Sequence, residues 1–147
     1  MVAACRSRRG STLLELSTVL LVASVALALA VPSARRLGDR AAVVGAREAI
    51  VGMVSAARGA ALDAGVAELV VDARADRVWV EAEGRERREL DLAREFGVDV
   101  GPPDAERARL RFGFLGLGVA SSRTVTVRRG SAARSLTVSA YGRVRRW

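Results

Sequence analysis

The sequence predicts an α+β fold: one long N-terminal α-helix, its first half transmembrane, packed in its second half on an antiparallel β-sheet. Three observations carry that prediction. From Leu16 to Ala34 no residue is charged. A helix of that length reaches about 28 Å, the hydrocarbon thickness of a bilayer. Small and apolar residues then recur at helical spacing to about Leu62, and Asp63-Ala64-Gly65 stops the helix. Beyond Gly65 the pattern turns to short alternating segments punctuated by Gly, Pro and Asp. A helix followed only by antiparallel strands must bury one face of each against the other.

The expected divisions are 1–10, a basic leader; 11–34, the membrane half of the helix; 35–62, its amphipathic half; and 63–147, a β head. Pro32 removes one helical hydrogen bond and is expected to kink the rod near Ala28–Pro32. In the amphipathic half, Ala42, Gly45, Ala49, Gly52, Ala56 and Ala60, joined by Met53 and Ala57, form a small-residue face suited to close packing on a sheet. Arg36, Arg40, Arg47 and Arg58 fall roughly opposite and are expected to be solvated.

Strands are expected at Val66–Val71, at Arg77–Glu83 with Val78, Val80 and Ala82 on one face and Trp79 on the other, and at Arg87–Leu92. Phe96–Asp104 reads as a loop. Leu110, Phe112 and Phe114 alternate with Arg109, Arg111 and Gly113. Gly116-Leu117-Gly118 is a turn. Arg123–Arg129 and Arg134–Ala140 flank Arg129-Gly130-Ser131 as a hairpin. The expected order is an antiparallel meander.

Charge is unevenly spread. All 24 basic residues are Arg, and His is absent, which removes the most versatile general base. Residues 107–147 carry ten Arg and no acid, whereas the 16 acids all lie before them. Cys5 is the only cysteine, so residues 11–147 offer no disulfide, thiol catalysis or Cys-based metal site. Asp72, Asp76, Glu81, Glu83 and Glu86 alternate with Arg on strand faces and read as solvated ion pairs. Neither a metal nor a cofactor is expected, and the chain is not expected to be an enzyme.

Gly10-Ser-Thr-Leu-Leu-Glu, with an apolar helix starting at once, resembles the prepilin leader of type IV pilins and type II secretion pseudopilins. Glu15 stands fifth from Ser11 and Pro32 twenty-second, the positions that family uses for its acid and its proline. Ser11 stands where the family usually has Phe. Late in the helix, Ser55-Ala56-Ala57-Arg58-Gly59-Ala60-Ala61 is similar to a stretch of GspH/FimT-type pseudopilins. The ending Leu136–Arg145, with its Gly142-Arg143-Val144-Arg145, resembles the C-terminal pattern of the same family.

The resemblance implies cleavage between Gly10 and Ser11 by a prepilin peptidase, with N-methylation at Ser11. It implies a single-pass subunit of the inner membrane with its head on the far side, whose partners are other pilins or pseudopilins. A charge in hydrocarbon costs roughly 2–4 kcal/mol, so Glu15 needs a partner. The resemblance implies that this is the N-terminal amine of a neighbouring subunit. It further implies a second reading, DNA capture through Arg143 and Arg145. Arg146, Arg128 and Arg129 join them as candidate contacts to double-stranded DNA on the basic block itself. A secretory signal peptide competes with the whole prepilin reading: Arg6, Arg8 and Arg9, the apolar run, and Ala28-Leu29-Ala30 as a cleavage site that leaves Val31 first.

Overall fold

A computed structural model describes residues 12–103, 105–119, 122–139 and 141–147. The fold is α+β, with one long N-terminal helix and antiparallel sheets. The chain divides into two compact units, 1–35 and 36–147, and helix α1, Leu13–Ala64, runs through both.

In the first unit the helix buries nothing. Its large side chains, Leu13 through Val31, are all exposed. An 18-residue window reaches a mean hydropathy of 2.3, so this helix is long and apolar enough to cross a membrane. The hydroxyls fit the same medium. Ser17 donates to the Leu13 carbonyl (2.8 Å), Thr18 to Leu14 (2.7 Å), Ser24 to Leu21 (2.8 Å) and Ser33 to Leu29 (3.5 Å). Each polar side chain between 16 and 34 therefore satisfies itself on its own helix, as hydrocarbon requires. Pro32 lies inside α1, whose helical assignment is unbroken on both sides.

In the second unit Val43, Ala46, Ile50, Met53, Val54, Ala57 and Ala61 of α1 are buried. The spacing is helical, but the stripe is rotated from the expected small-residue face. Met53 and Ala57 lie in it; Ala42, Ala56 and Ala60 sit on its flank, and Gly52 meets open space. Val43, Ile50, Met53 and Val54 supply most of the buried apolar area, and Ala46, Ala57 and Ala61 in the same stripe let the helix approach closely.

Two four-stranded sheets complete the head. The first runs β3 (Arg85–Asp91), β2 (Arg77–Ala82), β1 (Val66–Asp72), β5 (Arg107–Gly113). The second runs β4 (Asp99–Gly101), β6 (Arg123–Arg129), β7 (Ala132–Val138), β8 (Val144–Arg146). All pairs are antiparallel. The register aligns core residues: Leu69 stands between Val80 and Leu110, Ala67 between Ala82 and Phe112, and Val125 opposite Leu136. These side chains join the α1 stripe in one hydrophobic cluster.

The strands depart from a meander where β4 joins the second sheet and β5 returns to β1. The expected loop at 96–104 is corrected by β4, Asp99–Gly101, which lies inside it. Just before it, Leu92–Phe96 is a short helix, α2. The Asp91 carboxylate accepts from the Arg94 N–H at its start, and Gly97 ends it at φ 62°. Five residues are scarcely more than one turn, too few for periodicity to reveal. Leu92, read from the sequence as the last residue of a strand, is the first of α2 and is buried from it. Phe114 is exposed, because β5 ends at Gly113 and the chain turns there: the Gly116 N–H donates to the Gly113 carbonyl at 2.7 Å.

Candidate functional site

Two places carry the candidate residues. At the start of α1, Gly10 and Ser11 lie outside the described residues. Thr12 caps the helix: its Oγ1 accepts from the Glu15 N–H at 3.3 Å. Thr12-Leu13-Leu14-Glu15 thus has the spacing of a capping box. Glu15 also lies in the first turn, where a negative charge complements the helix dipole. It is exposed, at the edge of the apolar run.

The basic block is built from β6, β7, β8 and the turn before β8. Alternation along β6 sends Val125 and Val127 into the core, leaving Thr124, Thr126 and Arg128 on the outward face. The hydroxyls there pair across strands, Thr124 with Thr137 and Thr126 with Ser135, both at 3.0 Å. Arg145 stands opposite Thr137 and shares this face. The Trp147 N–H donates to the Ser135 carbonyl at 2.9 Å, placing that exposed indole two residues further along the same edge.

The five candidate arginines do not form one patch. Arg129 reaches back to α1, with Nε 3.1 Å from the Asp39 carboxylate and Nη1 donating to the Phe96 carbonyl at 2.6 Å. Arg146, opposite Leu136, also faces the helix; its Nε lies 3.2 Å from the Glu48 carboxylate. Arg128, Arg143 and Arg145 have no acidic partner among the described residues and are exposed. Of these, Arg143 sits in the turn before β8, its backbone N–H donating to Ser139 Oγ at 3.1 Å. Strand geometry separates Arg128 from Arg145 by roughly 16 Å: four residues along the strands and two strands across.

The helix arginines correct another expectation. Arg36 and Arg40 are exposed, but Arg47 and Arg58 are not on a solvated face. Arg47 Nη1 donates to the Trp147 carbonyl at 3.4 Å, and its Nη2 lies 3.0 Å from Glu48. Arg58 donates to the Gly142 carbonyl, and its Nε is buried without a partner. The alanines immediately before each, Ala46 and Ala57, are buried; one step round the helix, Arg47 meets the C-terminal Trp147 and Arg58 the turn before β8. The basic ending is thus tied to α1 at two levels.

The acids of the first sheet divide similarly. Glu68 pairs with Arg109 at 3.0 Å and Glu83 with Arg87 at 2.7 Å on open faces. Asp72 departs from the expected solvated pair, being 6% exposed. It accepts from Arg107 and from the Arg74 and Ala75 N–H groups. The Arg107 hydrogen bond and then the Arg74 N–H hold its carboxyl below the usual carboxylate value, against the opposing effect of burial. Among the described residues no group of three or more Asp, Glu, His or Cys side chains is placed to hold a metal ion.

No family model, curated protein or solved structure matches the chain.

Proposed function

We propose that the chain is a minor pseudopilin or minor pilin that acts in the assembly, or at the tip, of a type II secretion pseudopilus or type IV pilus. In this reading a prepilin peptidase cuts after Gly10, and Ser11 becomes the methylated N-terminus. The mature subunit stands in the inner membrane with its head outside the cytoplasm until it joins other pilins through Glu15. The observation that supports it best is the division of labour within α1. Up to residue 35 this helix is apolar, exposed and self-satisfied in its hydroxyls; from Val43 to Ala61 it supplies the core stripe of an antiparallel head. The rival cleavage site, Ala28-Leu29-Ala30, lies within that same helix.

The test is the mature N-terminus of protein recovered from native membranes, by intact mass and N-terminal peptide sequencing. A start at Ser11 carrying one extra methyl group supports the filament reading. A start at Val31 removes it.

A second reading, a DNA-binding minor pilin, is favoured by three of the five candidate arginines, Arg128, Arg143 and Arg145, which are exposed and have no acidic partner among the described residues, and by Trp147 beside Arg145. Phosphate contact plus base stacking needs that combination. Arg129 and Arg146 enter this reading weakened, since Asp39 and Glu48 already neutralise them.

A further inference from the structure

The outward face of the second sheet carries a field of hydroxyls between exposed arginines. The register puts Thr124, Thr126 and Arg128 of β6, Ser135 and Thr137 of β7 and Arg145 of β8 on the side away from the core. Trp147 exchanges both backbone hydrogen bonds with Ser135, which sets its exposed indole on the same face. Outward residues follow one another at about 7 Å along a strand and stand about 5 Å apart across strands. The field from β6 to β8 is thus about 14 Å long and about 10 Å wide. At its centre Thr124 meets Thr137 and Thr126 meets Ser135, both at 3.0 Å, and all four side chains are half-buried. Arg128 and Arg145 stand at its margins, exposed and with no acidic partner among the described residues. Asp99 of β4, opposite Arg128, is the one acid on this face among the described residues.

We propose that this face binds an acidic polysaccharide, a chain of sugars that carry carboxylates. A Ser or Thr hydroxyl has one proton and two lone pairs. Each hydroxyl pair uses one proton and one lone pair internally, so it presents one donor and three acceptor sites to a ligand. The centre of the face therefore suits a ligand that donates as well as accepts. Sugar hydroxyls do both, whereas the phosphate oxygens of a nucleic-acid backbone only accept. The guanidinium forks of Arg128 and Arg145 supply the charge complement for carboxylates at the margins. Trp147 offers the apolar side of a sugar ring a flat surface to lie on. One indole is too little for a run of stacked bases. Arg128, Arg145 and Trp147 also support DNA capture, and the hydroxyl centre is what separates the two ligands. All of these residues belong to the head, so the proposal holds whichever way the N-terminus matures.

The experiment is calorimetric titration of the full chain, in micelles of a detergent without a sugar headgroup, with polygalacturonate and with polyacrylate of matched charge. Polyacrylate has the carboxylates but no hydroxyls. Polygalacturonate is expected to bind saturably and about tenfold more tightly. In Thr124→Val/Thr126→Val that preference is expected to vanish while polyacrylate binding stays as in the parent. Trp147→Ala keeps the backbone bonds to Ser135 and is expected to weaken polygalacturonate alone. Arg145→Gln is expected to weaken both polymers about tenfold, and Arg88→Gln, on the exposed strand β3, to weaken neither. An unchanged melting temperature checks that each variant is folded. Absence of saturable polygalacturonate binding overturns the proposal, as does equal affinity for the two polymers, which marks diffuse charge attraction. A preference that survives both the threonine and the Trp147 variants overturns it too. So does a DNA duplex of matched charge that binds more tightly and displaces polygalacturonate, an outcome that gives the face to DNA. Each of these failures leaves the filament proposal standing, since the mature N-terminus decides that separately.

Discussion

Arg58 of helix α1 donates from its guanidinium to the carbonyl of Gly142, 84 residues later in the chain. Gly142 has φ 73°, and an added Cβ there would run into the same guanidinium. One residue therefore meets two constraints, a left-handed backbone and a side chain lying where a methyl group would go.

Gly142→Ala is accordingly expected to destabilise the head by roughly 1–2 kcal/mol from the backbone alone, with displacement of Arg58 added. Arg58→Gln, which removes the fork but leaves Gly142 its conformation, is expected to cost less. Thermal melts of the two variants, followed by circular dichroism, check the order. A Gly142→Ala melt equal to that of the parent would show that the turn before β8 carries no such constraint.

The second prediction concerns which face of α1 is buried. Ile50 is fully buried and Gly52 is open on the same helix. Ile50→Ala is expected to cost roughly 2–5 kcal/mol. Gly52→Ala is expected to gain about 0.5–1 kcal/mol, because an exposed helical glycine costs backbone entropy and gains nothing by its smallness. A destabilising Gly52→Ala would return the packing face to the small-residue stripe read from the sequence.

That pair also shows what the sequence displays and what it hides. Alternation at Leu110 and Phe112, and the hairpin flanking Gly130, are legible because period and turn chemistry are local properties. The exact rotation of α1 is less so, since small residues suggest close approach while burial follows apolar area. The pairing of β4 with β6, and the ties from Arg47, Glu48 and Arg58 to the C-terminal strand, join residues far apart in the chain. No periodicity encodes them. The same limit applies to the basic block, where a run of arginines in sequence divides in space into helix-bound Arg129 and Arg146 and outward Arg128 and Arg145.

The third prediction is a pH dependence. Asp72 has its folded-state pKa lowered from the ordinary 3.8, first by the hydrogen bond from Arg107. In the window between the depressed value and 3.8 the unfolded chain binds more protons, so stability rises with pH there. The contribution is fully present above the ordinary value and is lost as pH falls through the folded one. Asp72→Asn is expected to melt several degrees lower at neutral pH and to converge on the parent in acid. Parallel melting curves for the two from neutral pH down to pH 2 would remove Asp72 as the source.

The last prediction separates two roles proposed for Glu15. The Thr12-x-x-Glu15 spacing is that of a capping box, with Thr12 Oγ1 accepting from the Glu15 N–H, and the proposed membrane role makes Glu15 a charge for a neighbouring amine to neutralise. Glutamine serves a capping box nearly as well as glutamate but carries no charge. If the charge carries assembly, Glu15→Gln and Glu15→Ala are both expected to fall out of purified filaments while remaining folded in the membrane. If capping carries it, Glu15→Gln is retained and only Glu15→Ala is lost. The measurement is the ratio of filament-bound to membrane-bound subunit for each variant, with the head's melting temperature as the folding control. Thr12→Ala, which removes the cap and keeps the charge, supplies the opposite arm: it is expected to enter filaments under the charge role and to fail under the capping role.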